Sequence, residues 1–111
     1  MMIKNVLSPK YQLLTDKTYL TNTFMGCYQT DLLSQAIKSA EEKNILITII
    51  AHQTTIAVAA LLDLPLIIIC ESSHVSLEMI EKANEHHITI LKTPMKSYEV
   101  ILDLFKRGII S

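Results

Sequence analysis

Glycine is nearly missing from this sequence: 111 residues hold only Gly26 and Gly108. A P-loop requires G-x-x-x-x-G-K-[ST], and a dinucleotide fingerprint requires three glycines within six residues. Two glycines so far apart can build neither, which excludes a self-sufficient kinase, NTPase or standard nicotinamide enzyme. Tryptophan is absent, and cysteine occurs only at positions 27 and 70. Cys27 and Cys70 lie in or beside apolar runs, where free thiols behave as small hydrophobes, so they form no disulfide framework and fit a reducing, cytoplasmic setting. There is no basic run, and the net charge of −1 comes from interspersed signs. Nothing here would neutralise a nucleic-acid backbone. No stretch reaches the roughly 18 apolar residues of a membrane-spanning helix, because Asp63 and Pro65 break the longest one. The opening MMIKNVLSPK also lacks the apolar centre of a secretory signal. The expectation is one domain over 1–111, with neither a membrane nor a nucleic-acid partner.

What the chain has in excess is aliphatic side chain. Half of its residues are hydrophobic, more than so small a body can bury, and the surplus predicts a homodimer or higher homo-oligomer. Three runs organise the chain: ILITII from Ile45, LIIIC from Leu66 and ITILKT from Ile88. Their starts lie 21 and 22 residues apart, room for a strand, a helix and two short loops. Each is apolar on successive residues, as expected of a strand covered on both faces. The pattern predicts an α/β fold, a three-layer α/β/α arrangement around a mainly parallel sheet.

Around these runs the sequence predicts weaker strands at Tyr11–Thr15 and Phe24–Gln29, at an edge or in a small flanking sheet. Thr15–Thr23 reads as loop. A helix should begin at Asp31, capped by Thr30 or Asp31, with Leu32, Leu33, Ala36, Ile37 and Ala40 buried. A second, from Thr55 to about Asp63, is apolar all round and should be covered on more than one side. A third, from about Ser76 to His86, should bury Leu77, Ile80 and Ala83. A last helix, capped by Ser97 and stopped by Gly108, should turn Tyr98, Ile101, Leu102 and Phe105 inward.

Candidate chemistry is sparse. His52, His74, Cys27 and Cys70 show none of the spacings of a metal site, and no G-x-S-x-G elbow supports a catalytic triad. Neither a metal nor a cofactor is expected. In open parallel sheets ligands sit beyond the carboxyl ends of the strands. Those ends supply Thr30, Asp31, His52, Gln53, Thr54, Thr55, Glu71 and Thr93, with His52–Thr55 leading into a helix start that favours anions. Ordinary loop and capping roles account for the same residues equally simply. Three functions remain open: a regulatory or interaction module binding a small anionic ligand such as a nucleotide or phosphometabolite, a small enzyme using Asp31, His52, Glu71 and Thr93, or a subunit of a larger complex with a protein partner.

The segment from Tyr28 to Ser34, Y-Q-T-D-L-L-S, resembles the DRTGG domain family. The resemblance continues through the run from Leu46 to Ile69, through I-E-K-A-N-E-H-H-I-T-I-L-K-T, and into S-Y-E-V. It spans about Phe24 to Ile110, although the D-R and G-G letters that name the domain are absent. Stand-alone members look like the amino-terminal domain of HPr kinase/phosphorylase. The resemblance implies an HPr kinase N-terminal domain-like α/β sandwich, self-association and a regulatory rather than kinase role. Asp31 and Ser34 carry over as matching positions, without a catalytic assignment.

Overall fold

A computed structural model describes all residues 1–111. Five strands form one sheet: β1 (Gln12–Leu13), β2 (Cys27–Gln29), β3 (Ile45–Thr48), β4 (Leu66–Ile69) and β5 (Thr89–Lys92). Their spatial order is β1-β5-β4-β3-β2. Strands β2 to β5 run parallel, while β1 pairs antiparallel with β5. The predicted architecture is therefore present, with the two weaker strands at the two edges.

The helices are α1 (Leu33–Ser39), α2 (Gln53–Leu62), α3 (Leu77–Glu85) and α4 (Ser97–Lys106). Parallel crossovers are right-handed, and β2 to β5 are laid down in sequence in one direction. All three crossover helices consequently share one face of the sheet. There Leu46, Ile67, Ile69 and Ile90 pack against Ala36 of α1, Ile56, Val58 and Ala59 of α2, and Met79 and Ala83 of α3. The other face would be bare without the ends of the chain. Ile3, Val6 and Tyr11 of the amino-terminal segment, Phe24, Val100 and Leu104 of α4, and Ile109 cover Ile45, Ile47, Leu66, Ile68 and Leu91. Alternate residues of each strand thus feed two separate cores.

Scarce glycine leaves its mark on the helix ends. Gly108 (φ +73°) closes α4, with Ile109 N–H donating to Leu104 C=O and Gly108 N–H to Phe105 C=O. That is a Schellman pattern, and Gly108 stops the helix as expected. Asp63 (φ +58°) and His87 (φ +59°) take the same left-handed position after α2 and α3, where a Cβ is unfavourable.

Several expectations are corrected. Helix α1 starts at Leu33, and neither Thr30 nor Asp31 caps it. Only Ala36 of its predicted stripe is buried, while Leu32 and Ile37 face outward, because α1 sits over the sheet's margin. Helix α2 is not enclosed: Ala57, Ala60 and Leu61 are exposed, and it begins two residues early because His52 caps it. In α3 Ala83 is buried as expected and Ile80 half-buried, but Leu77 lies outside and Met79 takes its place in the core. Helix α4 buries Val100 and Leu104, leaving Tyr98, Leu102 and Phe105 on the surface and Ile101 half-buried. A short 3-10 turn, Lys17–Thr21, occupies part of the predicted loop.

Candidate ligand-binding rim at the carboxyl edge of the sheet

The predicted strand-end residues do gather at one edge, but in three separate groups. At the β2–β3 end, Asp31 Oδ1 accepts the Ile49 N–H at 2.9 Å and the Thr48 hydroxyl at 3.2 Å. The Thr30 hydroxyl accepts the Leu32 N–H at 3.1 Å. These bonds fix the chain as it leaves β2 against the end of β3. Ser34 stands exposed on the first turn of α1.

The second group is the start of α2. His52 Nδ1 accepts the Thr54 N–H at 3.1 Å and lies 2.8 Å from the Thr54 hydroxyl. An imidazole nitrogen does here what Ser or Asp usually does at this position. The Thr55 hydroxyl, fully buried, donates to Ile50 C=O at 2.7 Å. Gln53 Nε2 donates to Glu78 Oε2 at 2.8 Å and so ties the starts of α2 and α3.

The third group follows β4. Glu71 (φ +56°) and Ser72 (φ +53°) are consecutive left-handed residues, spanned by a bond from Ser73 N–H to Cys70 C=O. Positive φ at both central positions marks a type I′ turn, a conformation normally filled by Asn-Gly. The Glu71 N–H donates to Met95 C=O at 2.9 Å and the Ser72 N–H to Thr93 C=O at 3.0 Å, so the turn is held by the loop after β5. Thr93 is fully buried, and its hydroxyl accepts the Met95 N–H at 3.2 Å.

Only this third group borders a cleft. A hollow of about 160 Å³ is lined by Pro9, Lys10, Tyr11, Gln12, Ser72, Lys92, Thr93 and Pro94. Lys10 and Gln12 were not legible as site residues, because they arrive from the amino-terminal segment through the antiparallel β1–β5 pairing. Lys92 ends β5 itself. Two lysines, a glutamine and a serine thus line the hollow, and the Lys10 ammonium is paired with Asp103 Oδ1 at 3.6 Å. A larger hollow of about 270 Å³ adjoins it on the far side of Lys10, against Met95 and the outer face of α4, and two others lie away from the rim. One of about 410 Å³ sits at the opposite edge beside Lys43, Asp63, His86 and His87. Another, of about 500 Å³, lies between Gly26 and the last residues of the chain.

The rim offers little to a covalent mechanism. Cys70 is buried beside it, and burial, with the Asp31 and Glu71 charges, pushes its thiol up to about 12. A thiol so poorly ionised at neutral pH is inert. No three His, Cys, Asp or Glu side chains converge as a metal ligand set.

Residues 52–106 match the family described as HPr Serine kinase N terminus. The segment runs from the His52 cap to the end of α4. The fold extends the likeness further: the chain superposes on a crystal structure of the CBS and DRTGG domains of the regulatory region of Clostridium perfringens pyrophosphatase, complexed with the activator diadenosine tetraphosphate. The TM-score is 0.67 at 16% identity, over 96% of this chain and 49% of that one. The chain thus spans about half the length of that relative. No curated protein matches. The resemblance to DRTGG and HPr kinase N-terminal domains, read from the sequence, is borne out, and with it the HPr kinase N-terminal-like α/β fold. No helix is long and apolar enough to cross a membrane.

Proposed function

We propose that this domain is a non-catalytic, cytoplasmic regulatory module that self-associates and binds a small anionic ligand at the carboxyl edge of its sheet. The observation that carries the ligand reading is the Lys10–Lys92–Ser72 hollow. Lys10, Lys92 and Ser72 line one hollow beside a strained turn, and backbone strain of this kind concentrates at ligand sites. About 160 Å³ suits one phosphoryl or carboxylate group rather than a whole nucleotide. The charged end of a nucleotide or phosphometabolite would sit there, with the remainder lying across the rim. Similarity to a regulatory region solved with a dinucleotide activator supports the ligand class. The family match supports a regulatory rather than a catalytic part.

Isothermal titration with inorganic phosphate, mononucleotides and sugar phosphates tests this directly. A saturable heat that Lys92→Ala weakens by about tenfold, the equivalent of one charged contact, is the expected result. Only dilution heat from every compound overturns the ligand reading.

A further inference from the structure

Helix α4 carries two apolar stripes, and the sheet uses one. Val100 and Leu104 are fully buried. On the outer side Tyr98, Leu102 and Phe105 remain 59%, 48% and 60% exposed. They stand at i, i+4 and i+7, one continuous line on a helix surface. Glu99 and Lys106 flank that line on the same side, two turns apart. Lys106 makes no ion pair within the chain. Glu99 uses Oε1 to accept the Lys96 N–H at 3.0 Å, which leaves its second oxygen free.

We propose that this stripe is the contact between two copies of the chain, with the two α4 helices antiparallel about a two-fold axis at Leu102. The inference rests on the self-association part of the preceding reading and names the surface that performs it. The spacing is self-complementary. With Leu102 against the partner's Leu102, Tyr98 comes within one residue's rise, about 1.5 Å along the axis, of the partner's Phe105. Glu99 is brought equally close in height to the partner's Lys106. The two-fold axis keeps each flank facing its own kind. One side of the seam holds two Tyr–Phe pairs and the other holds two Glu–Lys pairs. The exposed face of α2 lacks this property: Gln53–Leu62 contains no charged residue to fix a register. A single helix pair lies at the small end of interface sizes, so association belongs in the micromolar range.

Sedimentation velocity across that range tests the seam. The wild-type chain should dimerise, and Leu102→Asp should raise the dissociation constant about tenfold or more. Glu99→Lys and Lys106→Glu should each weaken the homodimer by setting like charges against each other. Mixing the two variants makes every flanking pair opposite in charge again, so a heterodimer tighter than either homodimer should form. Circular dichroism checks folding, since Glu99→Lys also removes a helix cap while Lys106→Glu does not. A wild-type dimer that survives Leu102→Asp but is lost in Leu61→Asp keeps self-association and overturns the α4 seam. A wild-type chain that stays monomeric throughout overturns self-association itself, and the seam with it.

Discussion

The Tyr11 hydroxyl donates to Asp103 Oδ2 at 2.7 Å, across 92 residues of chain. The same carboxylate oxygen accepts Arg107 Nη2 at 2.9 Å, and Arg107 Nη2 in turn donates to Val6 C=O at 2.9 Å. This clasp holds the amino-terminal segment against α4, and these two elements are what cover the second face of the sheet. Tyr11→Phe keeps the ring and removes the bond. Asp103 retains Arg107, so no charge is stranded, and the cost should be about 1–2 kcal/mol. Asp103→Ala leaves both the half-buried guanidinium and the Tyr11 hydroxyl without their acceptor and should cost more, about 2–3 kcal/mol. Urea denaturation of the two variants measures both. Equal stability of Tyr11→Phe and wild type would show that the clasp is decorative.

The clasp also makes stability depend on pH at both extremes. Burial alone would raise the Asp103 carboxyl, but hydrogen bonds from Arg107 and Tyr11, with the charges of Arg107 and Lys10, bring it below the ordinary carboxylate value. Its contribution is present above an unfolded pKa of about 3.9 and is lost as pH falls through the lower folded value. Tyr11 behaves in the opposite sense, because burial and the bond to Asp103 hold its phenol well above the usual range. Its contribution is complete below about pH 10, and beyond that it declines as the unfolded chain ionises first. Thermal midpoints against pH should fall on both sides, and Tyr11→Phe should flatten the alkaline limb. An unchanged alkaline limb in that variant would refute the assignment.

The residues that fill the sheet announce themselves in the sequence, while those that decide a helix's orientation do not. Ile45–Ile47 and Leu66–Ile69 are uninterrupted aliphatic runs, which only a strand covered on both faces requires. Helix α4 offers Tyr98, Val100, Ile101, Leu102, Leu104 and Phe105, enough for two stripes, and periodicity cannot choose between them. The aromatic stripe looks the heavier, yet the narrower Val100–Leu104 stripe is the one that packs against the sheet beside Ile3 and Val6. The rim shows a similar limit. Strand ends place Asp31, His52 and Thr93 at one edge, but their hydrogen bonds to Ile49, Thr54 and Met95 depend on neighbours met only after folding. Lys10 reaches the rim through a two-residue strand, too short to read with its direction.

One polar group in the core has no partner. The Thr89 hydroxyl, on β5 opposite Leu66, is buried without a hydrogen bond. A buried unpaired hydroxyl loses its hydration with no compensation, a cost of about 1–3 kcal/mol. Thr89→Val preserves the branched shape that suits a strand and should raise stability by about 1 kcal/mol, a few degrees in melting temperature. Calorimetry of this single variant is sufficient. A lower melting temperature would mean that the hydroxyl has an unseen partner.

The turn at Glu71–Ser72 sets stability against binding. Each residue holds a left-handed conformation that costs an L-amino acid roughly 1 kcal/mol or more, and a chain with two glycines spends neither of them here. Replacing the pair by Glu71→Asn and Ser72→Gly supplies the residues a type I′ turn prefers and should add about 1 kcal/mol of stability. The Ser72 hydroxyl, however, borders the Lys10–Lys92 hollow. If that hollow holds an anion, the double variant should melt higher and bind phosphate or a nucleotide more weakly, while Glu71→Asn alone should gain stability and keep its affinity. Retention of serine at a position that favours glycine then has a chemical reason: its hydroxyl is a ligand contact. Equal affinity in all three proteins would remove Ser72 from the site and leave the strained turn without a binding role.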